Sequence, residues 1–394
     1  MTVGKAPGRS PMQELPFFDL DHLELRQRVR AWVEANLFSN ANDENELEPR
    51  ARRLVNELGR AGFTRHLVPS AYGGARERIQ ARDLCIMREE LARDSALADT
   101  MFAIQALGSY PIALAGNEEQ KRRYLPRVAS GEGIAAFAIT EPEAGSDVAS
   151  LTTRAVRQRR QFSLTGTKRF ISNAGIADQY VVFASTEPEK KGKGISAFII
   201  ESNAAGLFVK EKTALLSPHP IGVIVFDNCV IPGNALLGKE GEGLKIAFGT
   251  LDLLRCTVGA AALGLGQRAL EESVRYSQER RQFGQAIGQF QGIQFALAEI
   301  ATELEAARLL VYQAAWAIDS GANDTKRKSS MAKLYATETA QKIVDKALQI
   351  HGGAGLVAGS IMERLYRDVR ALRIYEGTSE IQKVIIAREL LKKA

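Results

Sequence analysis

The sequence holds only three cysteines and four histidines in 394 residues. Cys85, Cys229 and Cys256 are odd in number and far apart, which argues against a disulfide framework and a zinc site, and for a reducing compartment. His22, His66, His219 and His351 form no His-x-x-x-His pair, and there is no Cys-x-x-Cys, so no metal site is expected. No apolar run of the roughly 20 residues that a membrane helix needs is expected. Met1 to Glu14 lacks the apolar segment of a secretory signal and is poor in arginine for a transit peptide, so residues 1–16 read as a flexible arm and the expected location is cytoplasmic. A formal charge of +6 is spread over 52 basic and 46 acidic residues without a basic stripe interleaved with aromatics, which disfavours nucleic acid as a partner.

What is present is an ordinary globular composition, 45% hydrophobic and 25% charged, long enough for two or three domains. From Leu20 to about Val128 the apolar periodicity is helical, with Leu25, Val29, Trp32 and Val33 on one face and Leu54, Val55 and Leu58 on another. The run from Ala81 through Ile112 is apolar on more than one side and predicts a buried helix. From Gln161 to Val230, short β-branched and aromatic runs separated by turn residues predict a small antiparallel β-domain. Helical spacing returns from Gly241, with Ile293, Leu297, Ile300 and Leu304 as a packing stripe. The expected division is a helical domain over 17–132, a β-domain over 133–238 and a helical bundle over 239–394.

Five segments could carry chemistry. Near the C-terminus, Arg373 to Gln382 places Glu376 on a glycine-containing break between two amphipathic runs, and Ser379 with Gln382 reads as a capping box opening the last helix. In isolation Glu376 reads as a solvated turn residue. Phe137 to Asp147, with Thr140, Gly145 and Ser146, offers a close backbone approach and hydroxyls, although a Pro-Glu-Ala-Gly-Ser-Asp stretch alone is an ordinary turn. Gly166 to Ala174 ends in a flat aromatic and small polar side chains. Glu279 to Gly284, followed by Phe290 and Gln291, sets two guanidinium groups beside an aromatic, and Gln349 to Gly355 is a helix end running into glycines. No Rossmann fingerprint or phosphate loop occurs.

In this order and spacing the motifs carry a resemblance that covers the chain from about Phe17 onward. Phe137 to Asp147 matches the first signature of the acyl-CoA dehydrogenase family, and Gln349 through Arg388, with Arg367-Asp368 and Tyr375-Glu376-Gly377-Thr378, matches the second. The resemblance implies a mainly α fold with a central β-domain: an N-terminal α-helical domain, an antiparallel β-domain and a C-terminal four-helix bundle. It implies FAD, bound by Phe137, Ile139, Thr140, Gly145 and Ser146 and by Phe170, Ile171 and Ser172. From a neighbouring subunit the FAD site would be completed by Arg280, Gln282, Phe283, Phe290 and Gln291 and by Gln349, Ile350, His351, Gly352 and Gly353, with Thr378 and Glu380 near the cofactor's own end. That arrangement implies a homotetramer, a dimer of dimers. Ser146, Asp252, Arg255, Tyr375 and Gly377 would contact the acyl-CoA.

Glu376 would then be the general base. It would take the α-proton as the β-hydride leaves for flavin N5, giving a trans-2-enoyl-CoA and passing electrons to an electron-transfer flavoprotein, as in fatty-acid β-oxidation. The other position at which relatives carry a base is Leu254, which cannot accept a proton. Three departures from the family pattern stand out: Phe170 where Trp is commoner, Ser172 where Thr is commoner, and Leu215 to Pro220 in place of a Gly-x-Arg loop. Competing readings are an acyl-CoA oxidase-like flavoenzyme and a non-catalytic FAD-binding relative.

Overall fold

The structure, a computed structural model, describes residues 16–37 and 46–392; the expected arm over 1–16 lies outside these apart from Pro16. Five helices come first: α1 (Leu20–Asn36), α2 (Leu47–Arg60), α3 (Ala81–Asp94), α4 (Ala96–Ala115) and α5 (Glu118–Ser130). The apolar faces of α1 and α2 are buried at the spacings expected, while Trp32 is half-buried and meets Phe63 edge-on at 5.5 Å. Helix α3 is buried on nearly every side, Arg88, Glu89 and Glu90 included. Charges in such a place must be paired. Glu89 accepts from Arg26, Arg308 and Tyr312, and Glu90 accepts from Arg30.

The sheet follows: β1 (Ala135–Ala138), β2 (Arg154–Gln158), β3 (Gln161–Ser172), β4 (Gln179–Ser185), β5 (Ile195–Glu201), β6 (Leu207–Lys212), β7 (Ile221–Pro232) and β8 (Leu236–Leu237), in the order β6-β7-β3-β2-β4-β5-β8 with β1 on β4. It is mixed, where the sequence predicted an antiparallel sheet: β1 runs parallel to β4, and Arg154 of β2 pairs in parallel with Ser185 of β4. The long excursion from β1 through the β2 and β3 hairpin allows this, since a parallel return needs a dozen or more residues. Strands β1 and β2 precede the stretch expected to hold strands. One is alanine-rich and the other buries only Ala155, so neither shows a β-branched run. In β3 the register against β7 shifts between Lys168 and Ile171, and there Phe170 takes φ 55°. This bulge turns the Phe170 ring outward, 47% exposed, while Ile171 stays in the core.

The remaining helices are α6 (Gly243–Glu279), α7 (Gln291–Asp319), α8 (Thr325–His351), α9 (Ile361–Ala371) and α10 (Ser379–Leu391), with a short hairpin of β9 (Arg281–Gln282) and β10 (Gln285–Ala286) between α6 and α7. Helix α6 is the hub, packed on α3, α4, α7 and α8. Gly264 brings α6 against α3, because a Cβ there would lie 2.2 Å from the Glu89 carbonyl oxygen. By length and composition α6 meets the criterion for a membrane span that the sequence reading expected nowhere: its best 18-residue window has mean hydropathy 1.5. However, 78% of that window is buried inside the protein, which makes α6 a core helix whose apolarity serves packing.

Candidate active site

Glu376 lies in the loop from α9 to α10 with φ 54°, and Gly377 follows with φ 93°. A left-handed carboxylate residue is uncommon and persists only when its surroundings hold it. Three contacts do so. Lys333 Nζ on α8 donates to the Gly377 carbonyl at 2.7 Å, and Gln382 Nε2 donates to the same oxygen at 2.9 Å and to the Glu376 carbonyl at 3.5 Å. The cap of α10 sits one residue earlier than predicted: Thr378 has the extended backbone of a cap and its Oγ1 accepts from the Ile381 N–H at 3.3 Å. Ser379 is already helical, and its hydroxyl donates instead to Glu338 on α8.

The Glu376 side chain is 8% exposed and faces a narrow cleft walled by Leu84, Phe102, Ala103, Ala106 and Leu254. Arg88 Nη1 stands 4.0 Å from Oε1, while Oε2 is buried without a hydrogen-bond partner. Arg88 is itself fixed, forked onto Asp99 at 2.7 and 2.9 Å and donating to Thr257 Oγ1 at 3.0 Å. Burial pushes the Glu376 pKa up; the Arg88 and Lys333 charges oppose the shift without cancelling it. Burial likewise lowers Lys333 to about 8 against the pull of Glu376. Leu254, at the rival position for a base, lines this same cleft.

Around the loop stand the residues assigned to acyl-CoA by resemblance. Arg255 on α6 is buried, donates to Asp252 Oδ1 at 2.7 Å and acts electrostatically on both Glu376 and Lys333. Burial raises the Tyr375 hydroxyl pKa, and Arg88 lies beside it. Ser146 lies much earlier in the chain, exposed on the turn after β1.

The residues assigned to FAD fall into two groups. In the first, the end of β1 meets the end of β3: Arg169 N–H donates to the Thr140 carbonyl at 2.9 Å, and Lys168 Nζ donates to the Ile139 carbonyl at 3.1 Å and to Glu141 Oε1 at 2.8 Å. Glu141 also accepts from Thr152 and Thr153, which pins the turn that carries Gly145 and Ser146. Phe137 is half-buried against Phe183 at 4.9 Å. In the second, His351 at the end of α8 stacks on Tyr276 near the end of α6 at 4.4 Å, and Arg280 and the β9–β10 hairpin follow directly on α6. Phe283 is 93% exposed and meets Phe290 edge-on at 6.0 Å. Of the residues assigned to FAD, Thr378 and Glu380 stand at the start of α10. Among the described residues no hydrogen bond or ring contact joins the two groups within one chain.

The residues present fit a flavin dinucleotide. At Gly145 in the first group and at Gly284, Gly352 and Gly353 in the second a Cβ would meet nothing within 4 Å, so the backbone stands open to a ligand, and in the first group the exposed Phe170 adds a flat aromatic face. Arg88, Asp99, Thr257 and Lys333 were not singled out from the sequence. The one signal was a charge within the run from Ala81 through Ile112 that reads as buried, and it applies to Arg88 and Asp99.

A helical layer, a central sheet, a second helical layer and a buried carboxylate facing an apolar cleft define the class. Models of the acyl-CoA dehydrogenase N-terminal, middle and C-terminal domains match residues 19–132, 136–229 and 241–391. The chain belongs to the acyl-CoA dehydrogenase family. The acyl-CoA dehydrogenase of Bacillus subtilis (strain 168) is 40% identical over 374 residues, 94% of this chain and 98% of that one. The subunit CarC of the caffeyl-CoA reductase-Etf complex of Acetobacterium woodii is 36% identical over 386 residues, 96% of this chain and all of that one. The crystal structure of acyl-CoA dehydrogenase complexed with FAD from Bacillus anthracis superposes with a TM-score of 0.87 at 32% identity, covering 95% of this chain and 67% of that one.

Proposed function

We propose that this protein binds FAD and removes the α and β hydrogens of an acyl-CoA thioester, with Glu376 as the base. The observation that carries this reading is the Glu376 carboxylate, its Oε2 without a partner, facing a cleft walled by the apolar Leu84, Phe102, Ala103, Ala106 and Leu254 together with Arg88 and Thr257. A carboxylate in water is a poor base toward a weak carbon acid, and burial raises its affinity for the proton. Oε2 has no donor to give up before it takes the α-proton. Bound FAD supplies the acceptor for the β-hydride, so that a C=C bond forms between the two carbons and a trans-2-enoyl-CoA results. Arg88 and Lys333 keep enough positive charge near Glu376 for it to ionise inside the protein, and the apolar walls keep water from the reacting carbons.

The separation of the two glycine-bearing groups within one chain, and the bare Phe283 ring, support a site completed by a second copy in a homotetramer. The relative that works in an Etf complex supports an electron-transfer flavoprotein as redox partner. The test is anaerobic mixing with a panel of straight, branched and cyclic saturated acyl-CoAs. At least one should bleach the flavin, and reoxidation in air should be slow; FAD-loaded protein that none of them bleaches would overturn the reading, and fast reoxidation would favour an oxidase.

The pH profile gives a second test. Glu376 must be ionised to act, so the bleaching rate should rise with pH through an apparent pKa above the ordinary carboxylate value. Lys333→Met removes a cation that favours the ionised form, so its rising limb should lie at higher pH. A limb that stays in place in that variant would remove Lys333 from the account.

A further inference from the structure

His219 stands in the turn between β6 and β7, with its ring against the last residue of β3. Nε2 lies 3.0 Å from Ser172 Oγ, and Nδ1 lies 3.3 Å from the Ser217 carbonyl oxygen. The Ser217 hydroxyl donates to Asp368 Oδ1 on α9 at 2.7 Å, and Arg367 reaches the Leu216 carbonyl at 3.4 Å, so the turn is tied down from a second element. A carbonyl oxygen can only accept, which places the ring proton on Nδ1. Burial lowers the His219 pKa, and a neutral ring protonated on Nδ1 has a bare Nε2 that can only accept. The Ser172 hydroxyl must therefore donate to His219, and its lone pairs are what it offers to anything else.

We infer that His219 is a positioning residue that holds the Ser172 hydroxyl as a hydrogen-bond acceptor toward the flavin. The inference rests on the proposed FAD binding above, with Phe170, Ile171 and Ser172 at the end of β3 set against the flavin ring. Two observations set that strand end apart: the bulge that exposes Phe170, and the half-buried Ser172 beside the core residue Ile171. An unrestrained serine hydroxyl rotates to donate or accept as its partner requires. Held by His219, it favours a ring that carries N–H groups. Reduction adds N–H groups to an isoalloxazine, so the device favours the reduced flavin.

The test is the midpoint potential of the FAD-loaded protein, followed by its absorbance during reductive titration at fixed pH. His219→Phe frees the hydroxyl, and the ratio of reduced to oxidised flavin at a given potential should fall about tenfold, the net worth of one hydrogen bond. For a two-electron couple that is about 30 mV lower. His219→Gln, whose amide can accept from Ser172 and donate to Ser217, should stay within about twofold of the parent. In a Ser172→Ala background, His219→Phe should change nothing further. An unchanged potential in His219→Phe, an equal shift with and without Ser172, or loss of FAD from both His219 variants would overturn the inference. A parent protein that takes up no FAD would instead overturn the proposed function on which it rests.

Discussion

Replacing Glu376 by glutamine should leave the protein yellow and able to bind acyl-CoA while slowing flavin bleaching by on the order of 10³-fold or more, the scale of a lost general base. Glutamine keeps the shape of the side chain, so the cleft, the left-handed loop and the Lys333 and Gln382 contacts to the Gly377 carbonyl should survive. What is lost is the proton acceptor, and the alternative position across the cleft, Leu254, offers none. Stability should not fall. The raised pKa means that the folded state disfavours the charged carboxylate, so a neutral amide removes a penalty that at neutral pH works against folding. Single-turnover bleaching beside a thermal melt separates the two effects. Near-normal bleaching in Glu376→Gln would refute the assignment of the base.

Lys168→Met should cost about 3–5 kcal/mol of stability and most of the bound FAD. Lys168 is fully buried, and its ammonium meets Glu141, whose side chain is 2% exposed. Breaking such a pair from one side leaves an uncompensated charge in the interior, which accounts for the size of the loss. Two shifts bear on this pair and point in opposite senses: Glu141 is held down at about 2, as expected of a paired carboxylate, whereas burial lowers Lys168 to about 8 despite its partner. Both groups are charged at neutral pH, since Glu141 gathers donors from Lys168, Thr152 and Thr153. The pH sign follows: the stability from ionised Glu141 is present above the ordinary carboxylate pKa and is lost as pH falls toward about 2. Urea unfolding of Lys168→Met and of the double variant with Glu141→Gln is the measurement. The double variant should recover part of the loss, because no buried charge is then unpaired. A single variant as stable as the parent would show that the pair does not hold the β1 turn.

The helices were legible because their signal is local. Leu25, Val29 and Val33 recur at helical spacing whatever they pack on, and the same holds for Ile300 and Leu304. The strands that were legible carry β-branched or aromatic runs, such as Tyr180 to Phe183. Strands β1 and β2 lack them, and the parallel pairing of β1 with β4 depends on where the chain returns after some forty residues. The cap of α10 was misplaced by one residue because Thr378 and Ser379 are equivalent as sequence; only the extended backbone of Thr378 separates them.

By itself the sequence determined the order of helical and strand-forming segments, the membership of the family through its two signatures, and Glu376 as the carboxylate worth testing. The tertiary structure decided the setting of that carboxylate: Arg88 from α3, Lys333 from α8, Leu254 from α6 and the apolar walls from α4. It also decided that His219 meets Ser172. A proton affinity depends on the charges within a few ångströms and on the exclusion of water, and both come from segments far apart along the chain. Only the folded arrangement brings them together.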